Sequence, residues 1–243
     1  MGENIDIVTG RLKTIQSLIN IFPKSLRLQF NPRRFAIEMF VMESAKILPK
    51  GTKMLDAGAG PCPYKHFFKH CNYEATDFTN HYRLMDFVCT LDKIPKKPNT
   101  YDVILSTEVL EHVEYPQKVI NEFYRILKPK GKLFLTVPQG WMMHQKPYNY
   151  YYFTYFGLES LLKNSGFRKF TITPKGGYFW HLADTIKFNS ILEQFKNNKL
   201  LYYSLKIFEF PFTQILIPFV LFHLDKIDKV RDWTIGYTVV AEK

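Results

Sequence analysis

The sequence predicts a doubly wound α/β sheet, and three stretches carry that expectation. The first is Met54-Leu55-Asp56-Ala57-Gly58-Ala59-Gly60-Pro61, an apolar strand end that runs into a glycine turn. Gly58 and Gly60 carry no Cβ, so the backbone can turn sharply there and come close to a ligand. The second is Tyr73 to Asp77, a strand whose terminal acid lies 17 residues beyond Gly60. The third is the series strand Tyr101 to Ser106, helix Gln117 to Leu127, strand Lys132 to Val137. Its helix is amphipathic, with Val119, Ile120, Phe123 and Leu127 on one face.

The remaining elements follow in chain order. Residues 1–50 read as an N-terminal helical cap, broken by Pro23 and Pro32. Ile15, Leu18, Ile19 and Phe22 form one apolar stripe, and Phe35, Met39, Met42 and Ile47 another. Lys50-Gly51 turns into the first strand, and the aromatic-rich Tyr64 to Cys71 reads as the helix after the glycine turn. Asp77, at the tip of the second strand, suits the two hydroxyls of a ribose. Lys97-Pro98-Asn99 precedes the strand Tyr101 to Ser106. Lys128-Pro129-Lys130-Gly131 stops the amphipathic helix. The loop Pro138 to Thr154 leaves the carboxyl edge of the sheet with many aromatics and His144, which suits an apolar pocket with a few polar tips.

Beyond it, Leu158 to Gly166 reads as a helix and Lys169 to Thr173 as a strand. Gly176 to Arg231 then intervenes before a last strand at Trp233 to Lys243. Within that insertion, 207–224 is strongly apolar. Its charge-free part, Phe210 to His223, is shorter than the ~20 residues a spanning helix needs, and Pro211 and Pro218 interrupt it. It reads as a buried helical lid, as an apolar wall for a greasy acceptor, or as a peripheral membrane patch.

The formal net charge is +11, from 33 basic and 22 acidic residues, which suits an anionic partner or a solvated basic surface. Cys62, Cys71 and Cys89 form no Cys-x-x-Cys pair, so neither a disulfide framework nor a metal site is implied. The acidic N-terminus lacks a signal peptide's apolar run, and Asp6 stands where a myristoylation signal wants Ser or Thr. A cytoplasmic location is expected, with peripheral contact at the inner membrane face left open.

Several motifs agree in order and spacing with one family. Asp56-x-Gly58-x-Gly60 resembles the first motif of the class I S-adenosylmethionine-dependent methyltransferases, with Cys62 where the family has a third glycine. Pro63 stands where a dinucleotide fingerprint needs its third glycine, which disfavours a dinucleotide oxidoreductase. Thr107-Glu108-Val109-Leu110-Glu111-His112-Val113 resembles the fourth-strand motif of the small-molecule, type 11-like branch, and Leu127-Lys128-Pro129-Lys130-Gly131-Lys132-Leu133 is similar to a second family passage. The Asn-Pro-Pro-aromatic or Asp-Pro-Pro-aromatic motif of nucleic-acid amino-methyltransferases is missing from the first of these places, so nucleic acid is not favoured as a substrate.

The resemblance implies a Rossmann-like, mostly parallel seven-stranded sheet with an antiparallel last strand. It divides one methyltransferase domain, 1–243, into a cap at 1–50, a cofactor core at 51–175, a helical insertion at 176–231 and the last strand at 232–243. S-adenosylmethionine is the implied cofactor. Asp56, Gly58, Ala59, Gly60, Asp77 and Phe78 would line the first two strand ends. The hydroxyl of Thr90 or main chain near Leu91 would meet the adenine, since no acid stands four positions before Ile94-Pro95. Ser106, Thr107 and Glu108 would face the methionine part. The acceptor is a small molecule, open to lipid, sugar or phosphate linkage, and O-methylation is expected with His144 as general base, because imidazole takes up protons near neutral pH. His112 is read as structural. The alternative is a non-catalytic nucleotide-binding or membrane-associated scaffold on the same fold.

Overall fold

The computed structural model describes residues 22–188, 192, 195 and 197–243. The stripe residues Ile15, Leu18 and Ile19 lie outside them. Seven strands form one sheet: β1 Lys53–Ala57, β2 Asn72–Asp77, β3 Phe87–Val88, β4 Tyr101–Thr107, β5 Leu127–Pro138, β6 Lys169–Pro174 and β7 Gly236–Glu242. Their spatial order is β3-β2-β1-β4-β5-β7-β6. β1 pairs in parallel with β2 and β4, and β2 with β3 and β4 with β5 are parallel too. β7 runs antiparallel between β5 and β6. The strand order reverses between β1 and β4, and ligands of open α/β sheets bind at such a switch point, beyond the carboxyl ends of the strands.

Helices are α1 Lys24–Gln29, α2 Pro32–Lys46, α3 Pro116–Ile126, α4 Tyr155–Ser165, α5 Tyr178–Phe188, α6 Lys199–Pro211 and α7 Ile217–Leu224. The described chain divides into two compact units. One holds the residues up to Phe35, Met142–Gln145 and Gly176–Thr234; the other holds Ala36–Trp141, Lys146–Lys175 and Ile235–Lys243.

The sheet unit is built on continuous apolar strands. Met54, Leu55, Ile104, Leu105, Leu133, Phe134 and Leu135 are all fully buried, as expected of strands covered on both faces. α3 lays Val119, Ile120, Phe123 and Ile126 on one side of the sheet. Gly166 closes α4 with φ +104°, a conformation glycine adopts without steric cost. On the other side α2 buries Ile37, Val41 and Ala45 against Met54, Val103, Leu105 and Phe134. This corrects the expected stripe: Ile47 is exposed and Met39 and Met42 are half-buried, because the buried face is set by where the sheet lies. The expected helix Tyr64 to Cys71 is also corrected, to a single 3-10 turn over Lys65–Phe68. Pro61, Pro63 and the left-handed Cys62, φ +51°, delay any helix there.

The helical unit is held by a buried ion pair and a ring cluster. Arg33 donates to Asp184 Oδ2 through Nη2 at 2.7 Å and Nε at 3.1 Å. Trp180 stacks on Phe222, and Phe35 meets both edge-on. The backbone amides at the start of α5 are capped from a distance: Gly177 and Trp180 donate to Asp225, and Tyr178 to Asp228. Pro211 and Pro218 do not interrupt the apolar segment. α6, a π turn at Phe212–Leu216, α7 and a 3-10 turn at Asp225–Ile227 run on as one 29-residue helix, Lys199–Ile227. Pro211 closes α6, Pro218 lies in the first turn of α7, and the wider π turn runs between them. Only 11% of the most apolar stretch of this helix is buried.

Candidate functional site

The glycine turn forms where β1 leaves the sheet beside β2. Gly58 and Ala59 both donate their amides to the Thr76 carbonyl, at 2.9 and 3.1 Å, which folds the turn back onto β2. Gly58 has φ +79° and Gly60 φ +49°. A Cβ on Gly58 would lie 2.5 Å from a methyl of Val109, so this glycine serves packing against the segment after β4. A Cβ on Gly60 would meet nothing within 4 Å, so the turn faces open space there. The Gly60 amide donates to Asp77 Oδ2 at 2.9 Å, and the Phe78 amide to Oδ1 at 2.7 Å. Asp77 is thereby fixed at the tip of β2, and each carboxylate oxygen keeps a further lone pair for a ligand hydroxyl.

Beneath the turn, Asp56 is buried and accepts a 2.5 Å hydrogen bond from the Tyr73 hydroxyl. Burial pushes the Asp56 carboxyl up from 3.8 to about 6, against the opposing pull of Tyr73. Burial and the neighbouring carboxylate also hold the Tyr73 phenol neutral, well above its ordinary range. Asp56 is therefore a brace between β1 and β2 under the turn.

At the tip of β4 the expected residues separate into different tasks. Ser106 is buried, and its hydroxyl donates to the Ala57 carbonyl at 2.9 Å, tying β4 to β1. Thr107 is half-buried. Glu108 adopts φ +51°, and its amide donates to the Thr136 carbonyl. Its Oε1 accepts from the Thr136 hydroxyl at 2.9 Å and from the ammonium of Lys175, whose side chain is fully buried. Lys175 comes just after β6 and was missed by the sequence reading. Its signal was a lone lysine closing a strand directly before Gly176-Gly177. Thr90 follows β3 and is exposed, and Leu91 beside it is buried.

The aromatic loop after β5 is tied to the segment after β4. Tyr150 and Tyr151 donate their amides to the Glu111 carbonyl, and the Tyr151 hydroxyl donates to the Glu114 carbonyl. His112 Nδ1 lies 2.5 Å from the Tyr148 carbonyl. A carbonyl only accepts, so Nδ1 carries the proton, and burial holds the ring below its usual pKa. Tyr148 also brings its ring to 6.3 Å from that of Phe78, the exposed residue after Asp77. His144 belongs to the short stretch Met142–Gln145 that groups with the helical unit. Its Nδ1 is 3.1 Å from the Met142 carbonyl, which leaves Nε2 as the nitrogen with the lone pair.

Asp56, the glycine turn, Asp77, Phe78, Thr90, Leu91 and Ser106 to Glu108 thus gather at the carboxyl ends of β1 to β4. The open face at Gly60, the fixed acceptors of Asp77 and the exposed ring of Phe78 fit a nucleoside with free ribose hydroxyls. Residues 56–135 match the family model described as Methyltransferase domain. Over that stretch the chain is similar to the class I S-adenosylmethionine-dependent methyltransferases.

S-adenosylmethionine is the cofactor of this methyltransferase family. An uncharacterized protein of Methanocaldococcus jannaschii is 33% identical over 127 residues, covering 48% of this chain and 55% of that protein. The ubiquinone biosynthesis O-methyltransferase of Nitrosococcus oceani is 33% identical over 85 residues, covering 35% of this chain and 30% of that enzyme. The chain spans about half or less of the length of these curated relatives. A solved structure titled a SAM dependent methyltransferase, from Archaeoglobus fulgidus, aligns with a TM-score of 0.57 at 13% identity, covering 87% of this chain and 94% of that one. At that identity the likeness is one of fold.

Proposed function

We propose that the protein transfers a methyl group from S-adenosylmethionine to a hydroxyl of a small-molecule acceptor, free or lipid- or sugar-linked. The open glycine turn beside the fixed carboxylate of Asp77 carries this reading. Similarity to the ubiquinone biosynthesis O-methyltransferase supports oxygen as the accepting atom. When bound, the cofactor supplies a methyl carbon made electrophilic by its sulfonium. What remains for the protein is to hold, orient and deprotonate.

Asp77 would accept hydrogen bonds from the ribose hydroxyls, with Phe78 beside the nucleoside. Gly58, Ala59 and Gly60 would let the backbone come close to it. Thr90 and the main chain at Leu91 would meet the adenine edge. Thr107 and Glu108 would face the methionine end, whereas Ser106 would act through its main chain, its hydroxyl being held by Ala57. His144 Nε2 would take up the proton that the acceptor hydroxyl loses on methylation. Holding donor and acceptor in line accounts for much of the acceleration.

Calorimetric titration of the purified chain with S-adenosylmethionine tests the donor half, with Asp77→Ala expected to weaken binding by about 1.5–3 kcal/mol. Failure of the wild-type chain to bind would overturn the reading. Labelled-methyl transfer to a panel of phenols and alcohols tests the acceptor half, and donor binding without transfer to any acceptor would favour the scaffold alternative.

A further inference from the structure

The helix Lys199–Ile227 presents a continuous apolar stripe that nothing among the described residues covers. Leu201, Leu205, Phe208, Phe212, Leu216 and Val220 follow each other at spacings of three or four, and all are exposed. The stripe persists through the π turn and rises about 28 Å along the axis. No residue of α6 is buried, and Phe208 is 73% exposed. The opposite face is already occupied. Gln214, Pro218, Leu221 and Asp225 are buried, and Gln214 donates to the Lys187 carbonyl of α5. The Trp180 indole donates to the Phe222 carbonyl.

The surroundings of the stripe select its partner. Exposed cations stand at both ends, Lys199 before it and Lys226, Lys229 and Arg231 after it. The acids nearby are engaged with the protein: Glu209 pairs with Lys206 at 2.7 Å, Asp225 accepts from the amides that open α5, and Asp228 accepts from Tyr178, Val230 and Arg231. Tyr203 and Trp233, both exposed, add an amphipathic ring near each end. Lysine is depleted at protein–protein contacts, whereas a lysine-flanked apolar face with amphipathic rings near its ends suits the headgroup boundary of an anionic leaflet. The chain's net charge of +11 acts in the same direction.

We propose that this face lies in the plane of an anionic membrane leaflet, with α5 on its protein side. A spanning arrangement fits less well. The helix is long and apolar enough to cross a membrane by length and composition, but the side that carries Gln214, Pro218, Leu221 and Asp225 is packed on protein and leaves no room for lipid all round. The proposal is independent of the methyl-transfer reading, because it uses no residue of the sheet site.

The test is co-sedimentation of the full chain with phosphatidylcholine vesicles, with and without about a third phosphatidylglycerol. Wild type is expected to bind the anionic vesicles at least ~10-fold more tightly than the neutral ones, and to lose most of that attraction at high salt. Leu205→Glu/Phe208→Glu/Phe212→Glu changes only exposed or protruding side chains. It should keep the wild-type circular dichroism and melting curve while binding anionic vesicles at least ~10-fold more weakly. Recovery of wild type in the supernatant with both vesicle types would overturn the proposal. A dimer in light scattering that the triple variant converts to monomer, without vesicle binding, would assign the stripe to a second copy and also overturn it. Resistance of vesicle-bound chain to alkaline carbonate extraction would overturn the in-plane arrangement.

Discussion

Replacing Asp56 by Asn should flatten one part of the pH dependence of stability. In the unfolded chain this carboxyl ionises near 3.8; in the fold, burial raises it to about 6. Between those values the native state binds more protons than the unfolded state, so stability falls as pH rises through the window. The neutral carboxyl's contribution is complete below about pH 4 and lost above about pH 6. A difference of about two pKa units corresponds to about 3 kcal/mol. Asparagine does not titrate, and its amide oxygen can still accept from the Tyr73 hydroxyl, now 2.5 Å from Asp56 Oδ2. The unfolding free energy of Asp56→Asn minus that of wild type should therefore rise by about 3 kcal/mol from about pH 4 to about pH 7. Other titrating groups are common to both proteins and cancel. Urea denaturation of both proteins at about four pH values across this window measures the difference. A difference that stays constant within about 0.5 kcal/mol would show that Asp56 ionises as in water, and would refute its role as a buried brace.

Gly58→Ala and Gly60→Ala should part company. The first places a methyl against Val109 in a left-handed conformation and should cost about 1–3 kcal/mol of stability. The second meets no atom, so it should cost only about 1 kcal/mol of backbone strain yet weaken S-adenosylmethionine binding at least ~10-fold; melting curves and calorimetry separate the two effects. Lys175→Met should cost about 3–5 kcal/mol by leaving Glu108 without its ammonium, and adding Glu108→Gln should restore most of it, whereas additive effects in this double-mutant cycle would refute the coupling. His144→Ala should lower turnover about 10²–10⁴-fold with donor affinity unchanged, and full turnover in the variant would remove His144 from the mechanism.

Local pattern determined much of the molecule. The strands ending at Asp77 and Thr107, the amphipathic helix after Pro116, and the last strand are all readable because apolar periodicity and glycine or proline punctuation act over a few residues. The glycine turn and Asp77 were legible for the same reason: a turn that needs positive φ and an acid at a strand tip are constraints on single positions. Tertiary structure decided the rest. It made Ser106 a brace through a carbonyl 49 residues away, and put Lys175 on Glu108 across 67 residues, which no local pattern encodes. It chose Ile37, Val41 and Ala45 as the buried face of α2, since several faces of that helix are apolar and only the position of the sheet selects one. It also joined the segments around Pro211 and Pro218 into one helix. Proline removes a donor and a favoured geometry, but a π turn and packing against α5 can restore continuity, and that balance is set by contacts between elements distant in the chain.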